Sequence, residues 1–371
     1  MKVLVTGSAG FIGKNLCAQL VLDDSVEVLS FNHNNTNDDL EKYLGEADFI
    51  FHLAGVNRPT DEKEFDTGNR GLTEDILTFL KNNNKRTPIL MASSIQAKLD
   101  NPYGKSKKAA EDAIFKYIKL NKSPAYIYRL PNVFGKWCRP NYNSVVATFC
   151  YNISHNLPTT MSSPSNEVTL VYIDDIVSEF IKSLHGEVKA NDDGYCYIFR
   201  SFKVTLQELK DKLETFFCSR STLIAPNLES DFSRFLYATY ISYLDDDNFS
   251  YQLNTNTDDR GWLAEFIKSN QFGQIFISKT KPGITRGNHW HHTKIEKFLV
   301  IDGLAEIKFR KINSSEKAIT YKVSGDKLTV LDIPPGYTHS IKNIGEKDLM
   351  TLFWADEIFN KEKTDTYYQK V

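Results

Sequence analysis

The stretch from Gly283 to Gly303 constrains this chain more than any other. It reads Gly-Ile-Thr-Arg-Gly-Asn-His-Trp-His-His-Thr-Lys-Ile-Glu-Lys-Phe-Leu-Val-Ile-Asp-Gly. His289 and His291 are two apart, so on a strand they point to one face. Glu296 follows a short turn, and Lys297 to Asp302 reads as a strand ending at Gly303. Further on, Pro334-Pro335-Gly336-Tyr337-Thr338-His339 adds another imidazole. Histidines with one carboxylate form a ligand set for a divalent transition metal. A histidine pair alone would say little; the constraint lies in the whole spacing, Gly-x5-His-x-His-x4-Glu-x6-Gly.

That spacing resembles the first motif of the cupins, small double-sheet barrels. Pro334 to Asn343 is similar to their second motif, Pro-x-Gly-x2-His-x3-Asn. The glycine expected six positions before Pro334 is replaced by Leu328, so the hairpin entering this motif should differ.

A chain of 371 residues is long for one domain, and two are expected. A net charge of -2 gives no footing for nucleic-acid binding. The apolar start of the chain is too short for a signal peptide, and no run is long enough for a membrane span. Cys17, Cys138, Cys150, Cys196 and Cys218 form no C-x-x-C pair, which suits reduced thiols in a cytoplasm.

Lys2 to Thr6 reads as a buried strand, Gly7-Ser8-Ala9-Gly10-Phe11-Ile12-Gly13 as a turn, and Lys14 to Leu22 as a helix. Strand, glycine turn and helix is the setting of a dinucleotide fingerprint. Gly7, Gly10 and Gly13 let the backbone approach a pyrophosphate, with Phe11 and Ile12 in the same turn, and the helix N-terminus faces the anion. The second strand, Val26 to Phe31, runs into Asn32-His33-Asn34 without an acid. A carboxylate there would bind the ribose 2′-hydroxyl of NAD. Its absence removes repulsion toward a 2′-phosphate, so NADPH is the expected cofactor, with His33 and Lys14 as candidate contacts. Ala47 to Gly55 reads as another strand ending in Leu53-Ala54-Gly55, small enough for a cofactor to approach. Asn57 and Arg58 follow at the expected carboxyl edge of the sheet, and Arg58 is a candidate substrate contact. Thr73 to Leu80 reads as a helix, and Ile89 to Ser94 as a strand.

Tyr103 and Lys107 are four apart, neighbours on one helical face. A nearby ammonium favours phenolate, so the Tyr103 pKa is expected to fall. That suits proton transfer to a carbonyl oxygen near neutral pH. Ser94 is placed to bond the same oxygen, with Ser93 as the alternative. Tyr-x3-Lys is a frequent accident alone; here it follows a glycine fingerprint and a Ser-Ser strand end.

Together these residues resemble the extended short-chain dehydrogenase/reductase family. Tyr128-Arg129-Leu130-Pro131-Asn132-Val133-Phe134-Gly135 is similar to its Arg-x-x-Asn-Val-Tyr-Gly segment beside the nicotinamide, which makes Asn132 a candidate substrate contact. Val171 to Ile176 is similar to its Val-Asp-Asp-Val segment, and Thr205 to Leu213 to the helix that closes the domain. The Ser94 to Tyr103 interval is shorter than usual, so the loop between them is cut short.

Thr205 to Leu244 reads as helical and aromatic-rich, and Asp245-Asp246-Asp247-Asn248 breaks it. The expected domains are 1–247 and 248–371. Beyond the break the apolar period falls to two, over Gln274 to Ser278, Ala305 to Phe309 and Leu328 to Leu331, as in a barrel or sandwich. Asp258 to Phe266 resembles the Asp-x-Arg-Gly-x3-Glu stretch of the deoxysugar nucleotide 3,5-epimerases, themselves cupins, which makes Arg260 and Glu265 candidate substrate contacts. Arg286-Gly287-Asn288-His289 resembles their Arg-Gly-x-His, whose histidine is a base. His289 thus has two readings, base or metal ligand. If it holds metal, the base is another group, with His292, Tyr337 and Glu265 as candidates.

The expected architecture is a Rossmann-type doubly wound parallel α/β sheet followed by an all-β cupin of jelly-roll type. This order resembles the bifunctional capsular-polysaccharide enzymes of the UDP-N-acetyl-L-fucosamine pathway. Leu53 to Pro59, Gly135-Lys136-Trp137-Cys138 and Gly287 to His292 carry that likeness. The resemblance implies epimerisation at carbon 3 of a UDP-linked 4-keto-6-deoxy-N-acetylhexosamine. Reduction of the 4-ketone with NADPH follows, giving the talose-configured sugar. It also implies a zinc ion on His289, His291, Glu296 and His339, and a homodimer. Two other readings stand beside it. In one, the cupin is a structural or dimerisation module beside a single-function reductase. In the other, tightly held NAD serves a 4,6-dehydratase or 4-epimerase.

Overall fold

The computed structural model describes residues 1–59, 61–312 and 314–371. The chain forms two compact units. One comprises Met1–Glu214 with Leu228–Asp245, the other Thr215–Asn227 with Asp246–Val371. The break at 245/246 lies beside the acidic run. The stretch Thr215–Asn227, assigned to the first domain in the sequence reading, groups with the second unit through backbone bonds between Leu223, Ala225 and Lys268.

The first unit is built on five strands, β1 (Lys2–Thr6), β2 (Glu27–Phe31), β3 (Phe49–His52), β4 (Ile89–Ser94) and β5 (Ala125–Leu130). All are parallel, in the order β2-β1-β3-β4-β5. Val3, Leu4, Val5, Ile50 and Phe51 are fully buried, because a parallel sheet is covered on both faces. On one face Leu4, Ile50, Ile89 and Met91 pack with Leu40, Leu44, Ile76, Leu80, Ala110 and Ile114. The helix Pro102–Asn121 carries Tyr103 and Lys107; Asn101 caps it by accepting from Gly104 N, and Pro102 sits in its first turn. A smaller sheet, β6 (Asn132–Phe134), β7 (Glu167–Tyr172) and β8 (Phe202–Thr205), completes this unit. The expected long helical run from 205 is two helices, Leu206–Thr222 and Asp231–Ile241. Leu223 at φ +61° and Pro226 separate them, and Ser230 caps the second.

The second unit is antiparallel. Six strands, β9 (Thr255–Asp258), β10 (Gly261–Ser269), β11 (Gly273–Thr280), β13 (Glu296–Asp302), β16 (Val330–Ile333) and β18 (Leu349–Ala355), pair in the order β16-β13-β18-β11-β10-β9. Five more, β12 (Thr285–Trp290), β14 (Leu304–Lys311), β15 (Ile319–Ser324), β17 (Tyr337–Asn343) and β19 (Tyr367–Tyr368), pair as β15-β14-β17-β12-β19. Phe298, Val300 and Phe353 of one sheet share a core with Ile307, Phe309 and Ile341 of the other. Leu328 and Thr329 lie before β16, which begins at Val330.

Candidate functional site

The glycine turn is shaped by close backbone approach. Gly7 has φ +70°, and a Cβ on it would lie 2.7 Å from Ala54 N. A Cβ on Gly13 would lie 2.1 Å from Gly7 O. The helix Phe11–Leu20 starts at Gly10, whose position supplies no side-chain cap, so its first N–H groups stay open to an anion. Beside the turn lies a cavity of about 450 Å³ lined by Ser8, Ala9, Lys14, Cys17, Ser30, Asn32 and Trp137. Lys14 thus borders the space beyond β2, whereas the exposed His33 does not line it.

At the carboxyl ends of β3 and β4 a second group assembles. Ser94 lies close enough to Tyr103 to favour its phenolate, and its hydroxyl accepts from Gln96 N at 3.1 Å. Ser93 is committed elsewhere, its hydroxyl bonding the buried Glu111 carboxylate at 2.5 Å. Arg129 and Tyr195 occupy the rest of that carboxylate. Ser93 is thus engaged with Glu111, whereas Ser94 lies beside Tyr103. Lys107 is buried, and its Nζ donates to Ala92 O at 3.3 Å. A Cβ on Gly55 would stand 2.8 Å from both Lys107 Nζ and Asn69 Oδ1, so a side chain there would press on both groups.

Burial brings the Lys107 pKa down to about 8, against the pull of Glu111. The expected fall at Tyr103 is corrected. Burial raises the phenol, Ser94 opposes that rise, and the net direction is upward. The ammonium points to Ala92 O rather than solvating the phenol.

Two residues given no role in the sequence reading, His52 and Asn69, hold this group in place. His52 is buried, with Nδ1 at 2.9 Å from Thr6 Oγ1 and Nε2 at 2.9 Å from Thr73 Oγ1. Thr73 donates to Asn69 O, so it accepts from His52, and Nδ1 accepts from Thr6. Burial, with the Lys107 charge, lowers the His52 pKa to about 3, so the ring is neutral. The Asn69 amide accepts from Val56 N at 2.9 Å and donates to Val56 O at 3.1 Å, gripping the Leu53 to Arg58 loop from both sides. It also donates to Ser106 Oγ, which bonds Tyr103 O. No spacing rule marks a clamp of this kind. Arg58 is exposed, its guanidinium 6.0 Å from the Tyr142 ring centroid, with Arg139 5.1 Å from the same ring. Asn132 is exposed at the start of β6.

In the second unit, β12 pairs with β17 through a bulge. Gly287 faces Ser340, but His289 faces His339, leaving Asn288 unpaired at φ +60°. Without that extra residue His289 would point to the opposite face. The bulge therefore puts His289 and His291 on the face of His339. The four candidate ligand atoms of His289, His291, Glu296 and His339 lie within 4.8 Å of one another.

The residues fit a cation. His291 Nε2 and His339 Nε2 each lie 3.3 Å from Glu296 Oε2, yet neither nitrogen makes an aligned hydrogen bond. His291 Nδ1 faces Asp365 O at 2.5 Å. A carbonyl only accepts, so Nδ1 carries the proton and Nε2 presents a lone pair. A lone pair and a carboxylate oxygen facing each other repel unless a cation lies between them. A tetrahedral ion with bonds of about 2.0–2.2 Å spaces its ligands about 3.3–3.6 Å apart. Burial, with the His339 ring, lowers His289 to about 4, so this imidazole is neutral too.

Tyr337 lies two residues before His339 on β17, hence on the same face, and packs against the core that includes Phe298. Glu265 pairs across β11 with Phe276 on the inner face and bonds Lys268 at 3.1 Å. His292 is exposed, its ring against Trp290 and Tyr367. Arg260 is exposed and bonded to Asp258, which it holds down to about 2. Arg286, close enough for Arg260 to lower its pKa together with burial, donates to Thr280 Oγ1.

Residues 3–193 match the model of the NAD dependent epimerase/dehydratase family, and residues 256–367 that of the polysaccharide biosynthesis C-terminal domain. The chain belongs to the NAD dependent epimerase/dehydratase family. It is 43% identical over 369 residues to UDP-2-acetamido-2,6-beta-L-arabino-hexul-4-ose reductase of Pseudomonas aeruginosa, covering 99% of this chain and 98% of that one. A crystal structure of the capsular polysaccharide assembling protein CapF from Staphylococcus aureus superposes with a TM-score of 0.94 at 47% identity, over the whole of both chains. The spore coat polysaccharide biosynthesis protein SpsL of Bacillus subtilis is 25% identical over 123 residues, covering 31% of this chain and 82% of its own. The chain is therefore an oxidoreductase of a nicotinamide-dependent family, with a parallel α/β unit followed by an antiparallel β unit. Among the described residues no helix is long and apolar enough to cross a membrane.

Proposed function

We propose that the chain carries out two consecutive steps on a UDP-2-acetamido-2,6-dideoxy-4-ketohexose in capsular polysaccharide synthesis. The second unit, a cupin, inverts carbon 3, and the first unit reduces the carbon 4 ketone to the talose-configured sugar. The observation that carries the reading is that each compact unit holds its own complete set of proton-handling groups. The full-length likeness to a reductase named for a 4-keto UDP-sugar supports the substrate class.

Carbon 3 is acidic only beside a ketone, because the resulting anion is an enolate. Reduction destroys the ketone, so inversion comes first and reduction traps its product. In the second unit His289, His291, Glu296 and His339 would hold a zinc ion. When bound, it supplies a fixed positive charge beside the developing enolate. Tyr337, on the inner face with His339, carries the carbon 3 proton. His292 points away and Glu265 is paired with Lys268. Arg260 takes the substrate's diphosphate.

In the first unit NADPH supplies the hydride, with Lys14 facing its 2′-phosphate. Tyr103, held by Ser94, donates the proton to the carbon 4 oxygen. Lys107, still protonated at neutral pH with a pKa of about 8, supports the phenolate left behind. Arg58 lies on the substrate side of the Leu53 to Arg58 loop. The five free cysteines agree with a cytoplasmic setting, and the working assembly is a homodimer. Incubating the 4-keto UDP-sugar in D2O, with and without NADPH, tests the reading. Deuterium at carbon 3 without NADPH, and stoichiometric NADPH oxidation when it is added, are expected. Reduction without any exchange would remove the epimerase half.

A further inference from the structure

The segment Asp365 to Val371 lies far in sequence from the histidine motif, yet it bonds His291, pairs with His289 and bonds the neighbour of His339. Asp365 O accepts from His291 Nδ1, fixing the tautomer that leaves Nε2 free. The Asp365 carboxylate accepts from three consecutive backbone N–H groups, His292 at 2.8 Å, Thr293 at 2.7 Å and Lys294 at 2.9 Å, and from Thr293 Oγ1 at 3.0 Å. Three successive N–H groups turned to one side form an anion-binding concavity, and here the chain fills it with its own carboxylate. These bonds close the turn between His291 and Glu296, so they set how far apart those two ligands stand.

The rest of the segment holds the bulge. Tyr368 pairs with His289 and Tyr367 with Trp290. Gln369 N donates to Asn288 O at 3.0 Å, and Val371 N to Asn288 Oδ1 at 3.3 Å. Thr338, beside His339, donates its hydroxyl to Gln369 O. The left-handed Asn288, on which the direction of His289 depends, is thus bonded from this segment through both its carbonyl and its side chain.

We infer that Asp365 is a positioning residue for the cation site, and that residues 365–371 form a strap that sets its ligands before an ion arrives. The inference rests on the metal reading of His289, His291, Glu296 and His339. A distant strand here fixes the ligands from behind, and loss of a partner that orients a metal ligand weakens binding about 10–100-fold.

The test uses full-length protein stripped of metal and titrated with zinc against a competing chelator, in wild type, Asp365→Ala and Asp365→Asn. Wild type should bind about one ion per chain. Asp365→Ala should bind about 10–100-fold more weakly, while circular dichroism of the metal-free protein stays that of wild type. Asp365→Asn keeps one carbonyl oxygen for the same N–H groups and should recover part of the affinity. It also gives the readout if the alanine variant does not fold. With cobalt(II) as probe, the visible ligand-field spectrum should change in Asp365→Ala, which a merely structural role would leave unaltered. Wild-type affinity and spectrum in the folded variants would overturn the strap while leaving the metal reading intact. A wild-type protein that binds no ion would overturn the metal reading itself, and the strap with it.

Discussion

Replacing Lys107 by methionine should stabilise the first unit while removing its reductase activity. Lys107 is only 5% exposed, and burial brings its pKa from 10.5 to about 8. A lysine whose folded pKa is depressed binds its proton less well folded than unfolded. The unfolded chain therefore carries the extra proton between about pH 8 and 10.5, and stability rises with pH across that window. Below pH 8 the full cost is present, about 3 kcal/mol at 1.36 kcal/mol per pKa unit. Methionine has a similar length and no charge to desolvate. It gives up the bond to Ala92 O, worth about 1 kcal/mol, so a net gain of about 2 kcal/mol is expected at pH 7. For a unit of this size that raises the midpoint by about 4–8 °C. Thermal unfolding of the metal-free, cofactor-free protein at pH 7 and pH 10 is the assay. The gain should shrink toward zero as the wild-type lysine loses its proton. A variant less stable than wild type at pH 7, or a gain independent of pH, would refute the reasoning.

Changing His291 or His339 to Ala should empty the cation site and lower the stability of the second unit, since a bound ion stabilises the fold it completes; elemental analysis reading full occupancy in both variants would mean the ligands are wrong. Steady-state kinetics should favour NADPH over NADH, and Lys14→Ala should narrow that preference; an unchanged ratio would move the 2′-phosphate away from Lys14. Light scattering should give a homodimer of the 42.4 kDa chain, and a monomer mass would refute that assembly.

Much of the architecture is legible because its causes are local. A glycine turn between a buried strand and a helix, and a tyrosine four residues before a lysine, act through neighbours in sequence. The apolar alternation beyond the acidic break marks the second unit for the same reason. The run from 205 to 244 is helical, but the break within it, marked by Pro226 and the Ser230 cap, is obscured in the sequence by its aromatic content. The direction of the Tyr103 pKa was misjudged because helical spacing says nothing about burial or about where an ammonium turns. His52, Asn69 and Asp365 were invisible for a different reason. Each acts on a loop far away in sequence through hydrogen bonds that no periodicity encodes. The bulge at Asn288 belongs with them. Spacing puts His289 and His291 on one face, but only the register with β17 makes that the face of His339.

The central claim is that two independent chemistries share one chain, and Tyr103→Phe tests it most directly. The variant, given the 4-keto UDP-sugar and NADPH in D2O, lacks the hydroxyl that protonates the carbon 4 oxygen. NADPH oxidation should fall by at least about 100-fold, while deuterium still enters carbon 3 at the wild-type rate. Loss of exchange along with reduction, in a protein that remains folded, would place both steps in the first unit and contradict the account.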